Sequence, residues 1–473
     1  MLNTIHNSIF PFIIFGDFKS RFIFIFTIHV KNGFMKTTLL LAFGLMSFFS
    51  NSQQIIDKCL SHKAIQYQES LTPGYIDQVN SVFARAKAHQ SNYSQEKMNS
   101  LYTIPVVFHV VYNTAAQNIH DSVLINQIKV LNDDYNRLNA DTVNMRSDFD
   151  GVAGSPRIEF RLAQIDEFGA PTTGITRTNT STTSFGSIAA VTGSFADLEK
   201  VKSTADGGID PWDQSRYLNI WVCNMSINFF GQEITALLGY ATPPDGLPHW
   251  PAGATSGMSD GVVLQFQTVG TNNPNQIDMG NGLQNTLGRT ATHEVGHYLG
   301  LRHIWGDGDC TAEDGIDDTP NADAESNFDC DDTKNTCVDN ILGVDLPDMI
   351  ENFMDYSADD CQNSFTQGQG DLMIGVLENE RYDLVHNNPA SIQNLDATDL
   401  SVFPNPTSNS ITLTHKNNIT EIRLIGMYGT TLSSTIPLQS GSTISLENYP
   451  AGVYFINYTS ESGMVFSKRV VKQ

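Results

Sequence analysis

Apolar positions in the middle of the chain fall into short runs broken by polar turns. Ile104-Pro105-Val106-Val107-Phe108-His109-Val110-Val111-Tyr112 is β-branched and aromatic, which predicts a buried strand. Asp121 is placed to cap a helix whose apolar stripe is Leu124, Ile128, Leu131, Tyr135 and Leu138, at spacings of four, three, four and three. Ile158, Phe160 and Leu162 alternate as a strand behind Pro156, and Tyr217 to Cys223 and Gly261 to Phe266 predict two more. Between these lies the run Leu238 to Thr242, which ends in Pro243-Pro244. Proline cannot donate to a ladder, so this run is predicted at a sheet edge. The order strand, helix, three strands, helix suggests an α/β layering of modest size.

The ends of the chain read differently. Met35-Lys36, the apolar stretch Leu39 to Phe49 and Ser50-Asn51-Ser52 form a secretory signal pattern, with a cut expected near Ser52 or Gln53. On this reading residues 35–52 are the signal peptide, Met35 is the start, and residues 1–34 are an upstream start artefact. Residues 53–100 are polar and mixed, with helix-compatible patches such as Ile76 to His89, and read as a pro-segment or weakly packed leader. Residues 101–386 form the main domain. Within it, residues 306–363 are acidic, rich in Gly and Asn, and lack a periodic element. A loop that long in a compact domain needs a tether or a function. Residues 387–400 read as a linker. Residues 401–473 alternate short strands with Gly, Pro and Asn turns, which predicts a small all-β sandwich.

Composition narrows the field. The chain has 473 residues and a net charge of −24. That charge argues against nucleic acid, which needs a basic surface. No internal apolar run reaches the roughly 18 residues of a membrane span. Six cysteines are too few to build the fold from disulfides, but four of them fall within residues 306–363. Cys223, in an apolar strand, is expected to be an inert buried thiol.

The candidate chemistry lies in His293-Glu294-Val295-Gly296-His297-Tyr298-Leu299-Gly300-Leu301-Arg302-His303, which matches H-E-x-x-H-x-x-G-x-x-H. On a helix, His293 and His297 stand one turn apart on one face. Two imidazoles so placed can converge on zinc at ~2.0–2.1 Å. Glu294 can reach a water there and take its proton. Gly300 lets the chain leave the helix through a left-handed turn that returns His303 as third ligand. At ~100° per residue, Ala291, Val295, Tyr298 and Leu299 fall opposite the histidines, so one face packs on a core and the other faces a site. Thr290 or Thr292 is placed to cap this helix.

Downstream stands Asn352-Phe353-Met354-Asp355-Tyr356. The histidine motif followed by a methionine turn resembles the metzincins. The turn and flanking cysteines narrow the resemblance to the pappalysin-type, ulilysin-like metalloproteases, over roughly residues 101–386. It implies an α+β catalytic domain: a twisted mixed sheet with helices and an irregular, disulfide-stapled lower lobe. It implies one catalytic zinc on His293, His297 and His303, a hydrophobic base at Met354, and Tyr356 as a donor to the oxyanion. Four cysteines allow three pairings. The family pattern suggests Cys310–Cys337 and Cys330–Cys361, with a Cys₄ zinc site as the rival reading. Glu313 to Pro320 looks like the family's calcium loop, with Asp314, Asp317 (through its carbonyl) and Thr319 as candidate ligands. Cys59 stands where a pro-segment cysteine can block the zinc, although Lys58-Cys59-Leu60-Ser61 departs from the expected Cys-Gly.

The C-terminal region carries Val402-Phe403-Pro404-Asn405-Pro406, Pro450 to Phe455 and Lys468-Arg469-Val470-Val471-Lys472. It resembles the sorting domain read by type IX secretion machinery; an accessory binding sandwich is the alternative. Together these readings predict a secreted or surface-bound zinc endopeptidase acting on proteins or peptides. The alternative is a surface adhesin that keeps the fold without turnover.

Overall fold

The computed structural model describes residues 57–89, 101–229, 232–235, 237–242, 258–278, 282–341, 343–386, 400–415, 419–426, 431–434, 441–460 and 465–473. The expected start artefact, signal peptide and most of the linker lie outside the described residues, as do Pro243 and Pro244.

In chain order, the first elements are β1 (Asp57–Cys59), α1 (Ser61–Leu71), α2 (Tyr75–His89), β2 (Tyr102–Tyr112), α3 (Asp121–Tyr135), β3 (Ile158–Leu162) and β4 (Ile175–Asn179). There follow β5 (Leu218–Cys223), β6 (Leu237–Thr242), β7 (Gly261–Gln265), α4 (Arg289–Tyr298) and α5 (Gln367–Leu377). The strands form one seven-stranded sheet in the order β1-β6-β7-β5-β2-β3, with β4 also paired to β2. The sheet is mixed. β2 runs parallel to β3, β4 and β5, and β7 runs parallel to β5 but antiparallel to β6.

Both faces of the sheet are covered, which is why its central strands read as continuous apolar runs. On one face Ile104, Val106, Phe108, Ile220, Val222, Val262 and Leu264 join Leu124, Leu131 and Tyr135 of α3 and Ala291 and Val295 of α4. On the other, Val111, Trp221, Cys223 and Val263 pack with Phe185, Phe195 and Leu198. Each large apolar side chain so buried contributes about 1.5–3 kcal/mol.

Two expectations for α3 are corrected. His120, not Asp121, occupies the cap and accepts from Ser122 N at 3.1 Å. Asp121 is the first helical residue and pairs with Arg177. The helix ends at Tyr135, and Arg137 follows at φ +53°, so Leu138 falls beyond the stripe and is 72 % exposed.

The early segment is also better packed than a loose leader. β1 adds to the sheet parallel to β6, with Asp57 opposite Leu237 and Cys59 opposite Gly239. Tyr75, Val82 and Ala86 are buried. At Gly375 on α5, a Cβ would lie 2.3 Å from the Ala86 carbonyl oxygen, so α2 and α5 approach backbone to backbone. Arg85 pairs with Glu380 at 2.7 Å and Lys87 with Asp317 at 2.6 Å. Ile65 of α1 packs on Tyr75, Val79 and Val82 of α2, while Ala64 and Ala86 reach the two main cores, and this second set of partners lies far along the chain.

Among its described residues, the stretch 306–363 holds no helix and only isolated bridges. It is held by two disulfides, Cys310–Cys337 and Cys330–Cys361, the pairing the resemblance implies. Arg146 adds a polar clamp, reaching Glu351 Oε1 at 2.7 Å and the carbonyls of Asp332 and Asp348.

The C-terminal region is all β: β8 (Leu400–Phe403), β9 (Ser410–His415), β10 (Ile419–Gly426), β11 (Thr431–Ser434), β12 (Ser442–Ser445), β13 (Gly452–Ser460) and β14 (Val465–Lys472). They form a three-stranded sheet, β8-β9-β12, and a four-stranded sheet, β11-β10-β13-β14. Leu400, Ile411, Leu413, Ile422, Leu424, Ile456 and Val470 make one shared core, as in a sandwich.

Candidate active site

α4 carries the first half of the histidine motif. It starts from Gly288 at φ +79°, with no side-chain cap. Thr292, expected as a possible cap, instead donates to Asp134 Oδ2 at 2.7 Å, and its carbonyl accepts from Tyr135 OH. These bonds fasten α4 to α3. Ala291, Val295, Tyr298 and Leu299 are buried in the core. His293 and His297 project from the other side.

The helix stops one residue after His297, at Tyr298. Gly300 takes φ +94°, and its N–H donates to the His297 carbonyl at 2.9 Å. The reversal brings His303 back. The Nε2 atoms of His293 and His303 then lie 3.1 and 3.0 Å from His297 Nε2. Three nitrogens on one tetrahedral zinc stand about 3.3 Å apart, so the donor set fits that ion.

The opposite ring nitrogens are all occupied. His293 Nδ1 donates to the Phe353 carbonyl at 2.7 Å and His297 Nδ1 to the Leu301 carbonyl at 2.8 Å. His303 Nδ1 meets Asp307 Oδ1 at 2.6 Å. A carbonyl has no proton to give, so the imidazole Nδ1 carries it and Nε2 keeps a lone pair. Burial and the neighbouring imidazoles lower His293, and likewise lower His297 to about 3.

Glu294 is fully buried against β6. A Cβ at Gly239 would come within 2.8 Å of Glu294 Cγ, so a glycine is required opposite this carboxylate. Met354 is buried under α4, where a Cβ at Gly296 would meet its Sδ at 2.5 Å. The Tyr356 ring stands 5.0 Å from His303, and Trp305 stacks on His303 at 4.4 Å with 5° between planes.

The early segment enters this site. Cys59 Sγ joins the three histidine nitrogens in one group whose atoms all lie within 4.8 Å of one another. The thiol is 3.3 Å from Glu294 Oε2, and Ser61 Oγ donates to the same oxygen at 2.9 Å. Tyr356 OH donates to the Cys59 carbonyl at 2.7 Å. Lys58 is buried beside them. Its Nζ donates to the Ser357 carbonyl at 2.7 Å, lies 3.9 Å from Asp359 Oδ1 and sits over the Phe328 ring. Burial lowers its pKa, against the pull of Asp359 and Asp355. Asp359 is itself held by Leu287 N at 2.9 Å through its other oxygen.

The expected calcium residues divide. Asp314 and Thr319 are buried, and Asp314 Oδ1 accepts from Ile316 N at 2.9 Å. Burial raises the Asp314 carboxyl to about 8, against the pull of the Ile316 N–H and of the Thr319 hydroxyl beside it. The Asp317 side chain turns outward to Lys87. Cys223 is a buried free thiol pushed well up by desolvation.

Residues missed in the sequence are Lys58, Ser61, Gly239, Trp305, Asp307 and Asp359. Gly239 left a signal, since a glycine inside a strand marks close approach of another group. The others become neighbours of the site only through tertiary pairing or a tight turn.

Comparison with known proteins adds three kinds of likeness. The peptidase family described as pregnancy-associated plasma protein-A matches residues 204–378, and a secretion system C-terminal sorting domain matches residues 401–473. An extracellular metalloprotease of Verticillium alfalfae is 35 % identical over 153 residues, 32 % of this chain and 50 % of its own length. Another from Arthroderma otae is 29 % identical over 271 residues, 56 % of this chain and 74 % of that one. The chain spans about half the length of the first curated relatives it matches. The structure of a promirolysin mutant from Tannerella forsythia is 36 % identical with a TM-score of 0.53, covering 69 % of this chain and 96 % of that one.

Proposed function

The chain belongs to the pappalysin-type metalloproteases, and we propose that it is a secreted zinc endopeptidase made as a precursor whose early segment closes its own active site. The observation that carries this reading is the convergence of three imidazole Nε2 atoms, 3.0–3.1 Å from one another across His297, beside the buried carboxylate of Glu294. The extracellular relatives and the C-terminal sorting domain place the protein outside the cell or at its surface. Among the described residues no helix is long and apolar enough to cross a membrane.

His293, His297 and His303 would hold the ion. Zinc supplies a Lewis acid that polarises a carbonyl and brings the pKa of water toward ~7. Glu294 takes the proton of the attacking water and passes it to the leaving amine. Tyr356, freed from the Cys59 carbonyl, donates its phenol to the oxyanion. Met354 packs beneath the helix and fixes its height. An extended substrate pairs with β6 as an added strand, in the place that β1 now fills.

The early segment supports the precursor reading at three points. Cys59 presents its thiol at the metal position, Ser61 binds the oxygen of Glu294, and Lys58 fills the adjoining pocket. That pocket offers Asp359, the Ser357 carbonyl and the Phe328 ring. Its chemistry suits a lysine or arginine beside the scissile bond. A structural calcium belongs to the same proposal, because two buried oxygens at Asp314 and Thr319 suit a hard cation. The sorting domain would address the chain to type IX secretion machinery.

The test is casein digestion by the processed protein and its Glu294→Ala variant, each with and without a zinc chelator. Cleavage by the first alone, lost on chelation, is the expected result. Equal cleavage by both proteins would refute the mechanism. The absence of cleavage by folded, zinc-loaded and processed protein would refute a broad endopeptidase.

A further inference from the structure

The three histidines do not have equivalent supports. His293 and His297 each lean on a neutral backbone carbonyl, whereas His303 leans on the Asp307 carboxylate at 2.6 Å. The chain strains to make that contact. Asp307 takes φ +57°, and Gly306 before it takes φ +59°. A Cβ at Gly306 would meet the Glu313 backbone at 2.6 Å, and Gly306 N donates to the His303 carbonyl at 2.9 Å. The turn is therefore pinned from two sides. Left-handed backbone is uncommon for a residue with a side chain, although aspartate and asparagine tolerate it best. Trp305 covers one face of the His303 ring, so the imidazole has little freedom to tilt.

We infer that Asp307 is a positioning residue for the metal site, whose carboxylate fixes the tautomer and aim of His303 and makes it the strongest donor of the three. An anionic acceptor on Nδ1–H pushes electron density to Nε2 more than a carbonyl does. His303 is also the ligand that needs such help. The other two are set by a regular helix, whereas His303 lies beyond the Gly300 reversal. The inference rests on the zinc reading above.

The experiment uses the full chain with Cys59→Ala, so that histidines alone hold the metal. Into it go Asp307→Asn, which tolerates the left-handed backbone and removes only the charge, and Asp307→Gly, which removes the side chain without strain. Zinc affinity is read by competition with a chromophoric chelator, the ligand field by the visible bands of the cobalt(II) form, and the fold by thermal midpoint without metal. The dissociation constant is expected to rise about 10- to 100-fold, with Gly weaker than Asn and the cobalt bands shifted, at unchanged metal-free midpoint. Unchanged affinity and bands in both variants overturn the inference. So does unchanged affinity with a lowered midpoint, which would give Asp307 a purely structural role. A parent that takes up no zinc overturns the zinc reading and this inference with it.

Discussion

Ser61 Oγ donates to Glu294 Oε2 at 2.9 Å and accepts from Ala241 N at 2.8 Å, so one hydroxyl ties the proposed general base to the backbone of β6. Closure of the site therefore does not depend on the thiol alone. A Cys59→Ala precursor should cleave a reporter peptide more than about tenfold faster than the intact precursor, since a hydrogen bond to a charged group alone is worth about 1.5–3 kcal/mol. Adding Ser61→Ala should raise the rate again. If both variants stay as inert as the parent while uncut, the early segment acts by some other contact.

Glu294→Gln keeps the shape of the side chain and removes its basicity. In the processed enzyme it should lower kcat by about 10²–10⁴ while zinc content stays at one per chain. Single-turnover rates together with metal analysis check both halves.

Asp359→Asn should change preference more than turnover. Leaving a buried basic side chain without its partner costs about 2–5 kcal/mol, so cleavage beside lysine or arginine should fall about 30-fold or more in kcat/KM. Cleavage beside a neutral residue of similar length should change little. A peptide library scored by mass spectrometry separates the two outcomes, and an unchanged profile would assign the pocket elsewhere.

Cys330 and Cys361 close a loop with a sequence separation of 31 in a stretch that lacks a helix of its own. Replacing both by serine should cost about 2–5 kcal/mol and lower the thermal midpoint. The loss should be accompanied by faster proteolysis within residues 306–363. Calorimetry and limited proteolysis read these directly.

Asp134 gives a pH signature. Burial raises its pKa to about 7, against the pull of Arg289 and the Thr292 hydroxyl. The folded state therefore holds this proton more tightly than the unfolded state does. Its contribution is fully present below about pH 4 and is lost as pH rises through about 7. Asp134→Asn lacks this dependence. Denaturant unfolding at pH 5 and 7.5 should show the variant gaining relative to the parent as pH rises; a constant difference would remove Asp134 from the account.

The parts of the site that were legible are those whose geometry is local. His293 and His297 share a helix face by spacing, and Gly300 foretells the reversal that returns His303. Met354 and Tyr356 were identifiable because their turn is a compact motif. What lay hidden depends on distant chain. Lys58 and Ser61 matter because β1 pairs with β6, and nothing in residues 57–61 names that partner. Asp359 is aimed by Leu287 N, 72 residues away. The capping errors have a different cause. Aspartate and threonine are good caps in general, yet Asp121 had Arg177 to pair with and Thr292 had Asp134. Local preference yields where a tertiary partner is available. The same holds for α2, whose Ala86 meets α5 at Gly375, a partner nearly 300 residues away that residues 75–89 do not name.

The parallel pairing of Asp57–Cys59 with Leu237–Gly239 has a consequence for the life of the chain outside the active site. A bare strand edge is a template for any extended peptide, including another copy of the same molecule. While β1 is in place, β6 lies between two strands and the molecule travels without that template. Removal of β1 offers the edge to a substrate and to a sister molecule in the same event. A processed chain would then meet substrate and sister chain at one and the same edge, and their relative concentrations would decide which of the two it takes up.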